Sequence, residues 1–209
     1  MNHCILGWHY IYRCASRQGG NGLDEQEAIK KVQRGDMTAF EELYYTYEKK
    51  ALRMAYLLTS SENMAKDIVQ ETFIECFLSI GQLKQTEYFR TWFYQILRRT
   101  AWRHIKKESR FICAEEDEKL EDIEKIWADP YEQSDLSSFL ISQIKRMDYK
   151  KQTTIILYYY NELSIKEIAK VMGCLEGTVK SRLNSARKQL KKYLIQERYI
   201  NKGEQVTSL

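Results

Sequence analysis

The chain has 209 residues, of which 44% are hydrophobic and 30% charged, with a formal charge of +4. That is apolar material for one ordinary domain or two small ones, and it excludes wholesale disorder. One proline and nine glycines leave few of the turns a strand-rich fold needs, so the chain reads as all-α.

Residues 1–23 contain Gly19-Gly20-Asn21-Gly22 and read as a disordered extension or as the translation of an upstream start codon. Their short apolar stretch Cys4-Ile5-Leu6-Gly7-Trp8 is interrupted by His9 and Arg13, and no small-residue cleavage pattern follows, so no signal peptide is expected. A first helical module is expected over residues 24–110. Phe40, Leu43, Tyr44, Tyr47, Ala51, Met54, Ala55 and Leu58 recur at three- and four-residue steps, as one amphipathic helix or two in tandem. Ser60-Ser61-Glu62-Asn63 breaks that pattern and offers an N-cap. The next helix sets Val69, Phe73, Cys76, Phe77 and Ile80 on a core face and ends near Gly81. Its other face shows Asp67, Gln70, Glu71 and Ile74, which suits either ordinary surface or a docking site for a basic helix.

A third helix, from about Tyr88 to Lys107, buries Phe89, Phe93, Ile96, Leu97 and Thr100 on one side. Arg98, Trp102 and Lys106 follow at four-residue steps on the opposite side, flanked by Arg99 and Arg103. Cations that neutralise phosphates beside an indole that can stack on unpaired bases suit single-stranded nucleic acid. Trp102 packing against a neighbouring helix is the plainer alternative. Between Arg90 and Arg110 there are seven basic residues against one acidic.

Residues 111–135 read as an acidic linker. From Ala114 to Asp135 ten acidic residues stand against two lysines, around the single Pro130. The second module is expected over residues 136–198, followed by a tail from 199 to 209. Lys151 to Tyr160 forms an apolar-rich helix whose end, Ile155 to Tyr160, is the longest apolar run in the chain. It is a third of the roughly 18 residues a membrane span needs. Ser164-Ile165-Lys166-Glu167 is a capping box opening a short helix to Met172, and Gly173 supplies the turn. Ala169, Gly173 and Val179, with Ile168, Val171 and Leu183, then fit a helix-turn-helix: small at the crossing, glycine at the turn, branched in the shared core. Its second helix, from about Glu176, presents Glu176, Gly177, Thr178, Lys180, Ser181, Arg182 and Asn184 toward a major groove. Arg187, Lys188, Lys191 and Lys192 continue the basic surface as phosphate contacts or solubilising charge. Leu175, just before this helix, has no side-chain acceptor with which to cap it.

Five cysteines without metal-ligand spacing read as reduced cytoplasmic thiols rather than a disulfide scaffold. No Gly-rich phosphate loop, His/Cys cluster or nucleophile motif is present, so neither an enzyme nor a metal or other cofactor is expected.

Four ordered motifs resemble the bacterial extracytoplasmic-function (ECF) sigma factors. They are Asp67-Ile68-Val69-Gln70-Glu71-Thr72-Phe73, Phe89-Arg90-Thr91-Trp92-Phe93-Tyr94-Gln95-Ile96, Leu163-Ser164-Ile165-Lys166-Glu167-Ile168-Ala169 and Gly177-Thr178-Val179-Lys180-Ser181-Arg182-Leu183. The resemblance runs from about Ala28 to Leu194 and implies region 2 and region 4 domains. Region 2 would dock Asp67, Gln70 and Glu71 on the coiled coil of the β′ clamp of core RNA polymerase. It would melt and hold −10 promoter DNA through the loop Gln82–Tyr88 and through Tyr88, Arg98, Arg99, Trp102, Arg103 and Lys106. Region 4 would read −35 DNA through Thr178, Lys180, Ser181, Arg182, Asn184 and Arg187, and touch the β flap. The resemblance also implies that the linker threads the nascent-RNA path, that an anti-sigma factor holds the protein, and that it takes no small-molecule substrate. Where the family usually has Asn and Asp in the third helix, this chain has Arg99 and Arg103. Ser185 replaces a common Arg and Leu175 a common Ser or Pro, so neither promoter element transfers by analogy. A DNA-binding regulator acting without polymerase and a helical adaptor with merely solvated basic faces are the rival readings.

Overall fold

The computed structural model describes residues 25–111 and 135–204, all-α among those residues. The expected N-terminal extension, the core of the acidic linker and the last five residues lie outside them. The first module comprises α1 (Glu25–Gln33), α2 (Met37–Thr59), α3 (Glu62–Ser79) and α4 (Phe89–Phe111), with two 3-10 turns between α3 and α4. The second comprises α5 (Asp135–Lys145), α6 (Tyr149–Tyr159), α7 (Ile165–Met172) and α8 (Glu176–Glu204). The helix α8 thus continues past residue 198, where the sequence reading begins a tail.

Sequence punctuation sets the helix starts. Asp36 accepts the Thr38 and Ala39 amides at 2.9 and 3.2 Å, which satisfies donors that the first turn of α2 leaves open. One continuous α2 follows, so the tandem alternative falls. It ends where Ser60 turns left-handed at φ 60°, and Ser61 caps α3 through the Met64 amide at 3.3 Å. The short helix α1 was not foreseen. It buries Ala28, Ile29 and Val32 against α2, and Glu25 accepts the Tyr47 hydroxyl at 2.6 Å. Burial, and then that bond to Glu25, push the Tyr47 pKa upward, so the phenol stays a neutral donor.

The core of the first module is aromatic. Phe93 packs between Tyr47 (4.9 Å between centroids) and Phe73 (5.1 Å), and Phe89, Ile96, Leu97 and Thr100 are buried beside it as the period requires. Phe77 departs from expectation. At the edge of the α3 stripe it remains 39% exposed, its ring meeting Phe40 edge-on at 5.0 Å. Gln33 pins the connection to α4 by donating to the Ile80 and Leu83 carbonyls at 2.9 and 2.8 Å.

The two modules also meet each other, which no local pattern announces. The helix α6 and the turn after it pack on α2, and α7 packs on α4. Buried Gln152 donates to the Leu57 carbonyl at 2.7 Å, and buried Asn161 donates to the Tyr94 hydroxyl at 3.1 Å.

Candidate polymerase and nucleic-acid interfaces

The helix-turn-helix is built as its sequence implies. Ser164 Oγ accepts the Glu167 amide at 3.2 Å, and the Glu167 carboxylate accepts from the Ser164 backbone at 2.8 Å. Partial burial opposes the charge on Glu167, but the Ser164 bonds and the nearby Arg90 and Lys170 outweigh it and hold its pKa below the usual carboxylate value. Gly173 closes α7 at φ +61°, where a side chain would be strained. Val179, Leu183 and Ala186 bury one face of α8 against Ile168 and Val171. That leaves Lys180, Ser181 and Asn184 exposed on the other face, with Thr178 and Arg182 half-buried beside them. Arg182 reaches back toward the Cys174 sulfur at 3.7 Å. Arg187 donates to the Tyr159 hydroxyl at 2.8 Å and lies against the Tyr158 and Tyr159 rings, a seat the sequence reading missed. Leu175 stands 80% exposed at the helix entrance, its carbonyl accepting the Thr178 amide while its side chain caps nothing.

The basic face of α4 is divided. Arg99 pairs with Glu75 on α3, and Arg103 reaches Glu71 at 2.9 Å and Glu75 at 3.6 Å. His104 approaches the same Glu71 at 2.7 Å, a partner that sequence reading did not supply. Arg98, Trp102 and Tyr88 instead line the seam with the second module. Trp102, 45% exposed, meets the Tyr149 ring at 4.8 Å. Tyr149 donates to the Arg98 carbonyl at 3.0 Å, and burial pushes its own pKa up to about 12. Lys170 sits over the Tyr88 ring at 4.0 Å. Lys106 is exposed one turn beyond Trp102. The expected cation-and-indole face is therefore two faces, one turned to α3 and one to the second module.

On α3, Asp67, Gln70, Ile74 and Leu78 form one outward stripe, with Leu78 71% exposed and Ile74 37%. Leu78 was missed, although it continues the four-residue step from Ile74. Glu71 borders this stripe but is held from behind by Arg103 and His104. Cys76, two residues before Leu78 and so on the inward side, is buried, and burial raises its thiol pKa to about 12, so it is unreactive packing.

An acidic-apolar helix face, an aromatic-basic helix and a helix-turn-helix now stand in one chain. Residues 43–111 match the family "Sigma-70 region 2", and residues 140–190 match "Sigma-70, region 4". The chain belongs to the ECF sigma factors of the sigma-70 family. It is 31% identical over 179 residues to the ECF RNA polymerase sigma factor SigW of Bacillus subtilis (strain 168), covering 81% of this chain and 96% of that one. It is 30% identical over 181 residues to the RNA polymerase sigma-H factor of Pseudomonas aeruginosa, covering 81% and 93%. The fold is similar to that of the sigma factor RpoE, solved in complex with the anti-sigma factor NepR from Bartonella quintana. That likeness has a TM-score of 0.63 at 22% identity, over 74% of this chain and 96% of that one.

This sigma factor binds core RNA polymerase and directs promoter-specific transcription initiation; like its family it is not an enzyme. Among the described residues no helix is long and apolar enough to cross a membrane.

Proposed function

We propose that the factor divides its work among three surfaces over the domain bounds given above. The α3 stripe of Asp67, Gln70, Ile74 and Leu78, with Glu71 at its edge, docks on the β′ clamp coiled coil. Acidic groups around an apolar ridge suit a basic amphipathic helix, and Leu78 supplies the buried anchor such an interface needs. The face of Lys180, Ser181 and Asn184, flanked by Thr178 and Arg182, reads duplex −35 DNA, with Arg187 on the phosphates. Tyr88, Arg98 and Trp102, with Lys106 on phosphates, hold unpaired −10 bases, each stacked base contributing about 1–3 kcal/mol. Arg99 and Arg103, engaged by Glu71 and Glu75, shape the back of that face. The factor works in the cytoplasm, and an anti-sigma protein is a further partner by analogy with the RpoE–NepR pair.

The observation that carries this reading is that the exposed groove-sized face of α8 and the α3 stripe are both presented to solvent by the same folded chain. Run-off transcription with core polymerase on a library of promoters tests it. Lys180→Ala with Asn184→Ala should change which −35 sequences are used while leaving polymerase binding intact. Unchanged −35 preference would reject the assignment.

A further inference from the structure

We infer that Leu175 is a specificity residue of the −35 interface, its side chain seated on the C5 methyl of a thymine in the major groove. The inference deepens the assignment of α8 to duplex −35 DNA made above and rests on it.

Among the described residues Leu175 is the most exposed large apolar side chain, at 80%. Its backbone is nonetheless held firmly. The Leu175 carbonyl accepts the Thr178 and Val179 amides at 2.9 and 3.2 Å, and the preceding Cys174 amide donates to the Ala169 carbonyl at 3.0 Å. The leucine therefore stands fixed where α7 hands over to α8, with freedom only about its own side-chain bonds.

The residue is unfavourable for the fold where it stands. A helix entrance favours Ser, Asp or Asn, whose oxygen satisfies an open amide, and leucine offers none. An aliphatic side chain held in water also forgoes the stabilisation of burial. A position that breaks both local rules is explained by something outside the chain that takes the side chain up.

Its surroundings identify that partner. In a helix-turn-helix the N-terminal end of the second helix enters the major groove, so this corner is placed against base edges. At Gly177, two residues on, an added Cβ would meet nothing within 4 Å, so the fold has room for alanine, which also favours a helix. Bare backbone beside a projecting leucine suits a surface that approaches closely. The exposed Glu176 carboxylate between them repels phosphates, which directs the corner to bases rather than to the DNA backbone. Among base edges the thymine methyl is the apolar feature, whereas the others present hydrogen-bonding groups that a leucine would leave unpaired. Leu175 thus supplies what Lys180, Ser181 and Asn184 lack, an apolar contact that favours thymine at one position.

Holoenzyme assembled from the full-length factor and core polymerase, incubated with duplex DNA randomised over the −35 region, selects its preferred element. Each thymine of that element is then replaced by deoxyuridine, which lacks only the methyl, and binding is read by fluorescence anisotropy. At one thymine the replacement should weaken wild-type binding about fourfold, the contribution of one buried methyl group. Leu175→Ala should bind the thymine duplex at least ~fourfold more weakly and no longer distinguish thymine from deoxyuridine there. Leu175→Met should keep the distinction. Leu175→Ser should lose it although a capping serine favours the fold, so that loss is not one of folding. No thymine sensitive to its methyl, or an equal penalty in wild type and Leu175→Ala, would overturn the inference. So would a Leu175→Ala factor whose only defect is weaker binding to core polymerase without DNA, which places the side chain on the polymerase. Lys180→Ala with Asn184→Ala keeps the two claims apart. If that pair alters the −35 preference while Leu175→Ala leaves the methyl penalty in place, the role of Leu175 alone is refuted. If the pair leaves the preference unchanged, the assignment of α8 beneath it is refuted.

Discussion

The helices α4 and α8 carry the same chemistry, arginines and lysines along one face, and meet opposite fates. On α8, Lys180, Ser181 and Asn184 look outward, while Arg182 reaches back to Cys174 and Arg187 is seated on two tyrosines. On α4, Arg99 and Arg103 are drawn to Glu75 and Glu71, while Arg98 and Trp102 are drawn into the seam. The difference follows from neighbours rather than from the helices themselves. The helix α8 closes its core against α6 as well as α7.

The comparison can be broken at either helix. The largest effects are expected in the cores beneath the two faces. Ile168→Ala, at a fully buried site under α8, should destabilise the second module by about 2–5 kcal/mol in denaturant titration. The −35 preference should then be lost while holoenzyme still forms. Parallel loss of polymerase binding would mean that the modules do not act separately. Next, Trp102→Ala should reduce open-complex formation on duplex promoters by about 1–3 kcal/mol, roughly 5- to 150-fold. It should leave closed-complex formation untouched, and potassium permanganate footprinting separates the two. An equal loss in both would place Trp102 in packing alone.

Smaller effects sharpen the account of α7 and α8. Ser164→Ala removes the capping bond and should cost about 1 kcal/mol near neutral pH. Because the Glu167 pKa is depressed in the fold, its stabilisation is complete above the unfolded carboxylate value of about 4.3 and fades as pH falls through the folded value. The part of the gap due to the Ser164 hydroxyl donating to the Glu167 carboxylate at 2.7 Å should therefore fade in acid while the amide bond persists, and a gap that stays constant down to pH 2 would contradict the role of the carboxylate. Leu175→Ser should supply the missing N-cap and raise stability by up to about 1 kcal/mol, a few degrees in Tm. No gain would show that the entrance to α8 is already satisfied.

What sequence reading could reach follows from the range of each interaction. The helices α2, α3, α4, α7 and α8 announced themselves through periods of three and four residues, and Ser61, Ser164 and Gly173 through local cap chemistry. The buried Val179 and Leu183 followed from the same arithmetic. The nine-residue α1 carries only three buried side chains, too short a pattern to stand out before its partners are known. Phe77 shows the limit at a stripe's edge, where a few tens of degrees decide exposure. The seam was illegible for another reason. Gln152 to Leu57 and Asn161 to Tyr94 join residues 95 and 67 positions apart, and a polar side chain that will be buried by another module looks like any surface residue. The partition of the α4 cations was hidden likewise, since it depends on Glu71 and Glu75 one helix away.

Everything in this account requires that the α3 stripe join the factor to polymerase. Gel filtration with core polymerase lacking other sigma factors measures that directly, comparing wild type with Asp67→Arg plus Leu78→Glu, two exposed sites whose change should leave the helical circular dichroism intact. The account predicts that wild type co-elutes with core polymerase and the variant elutes alone. Co-elution of the folded variant at wild-type stoichiometry, or failure of wild type to co-elute, would contradict it.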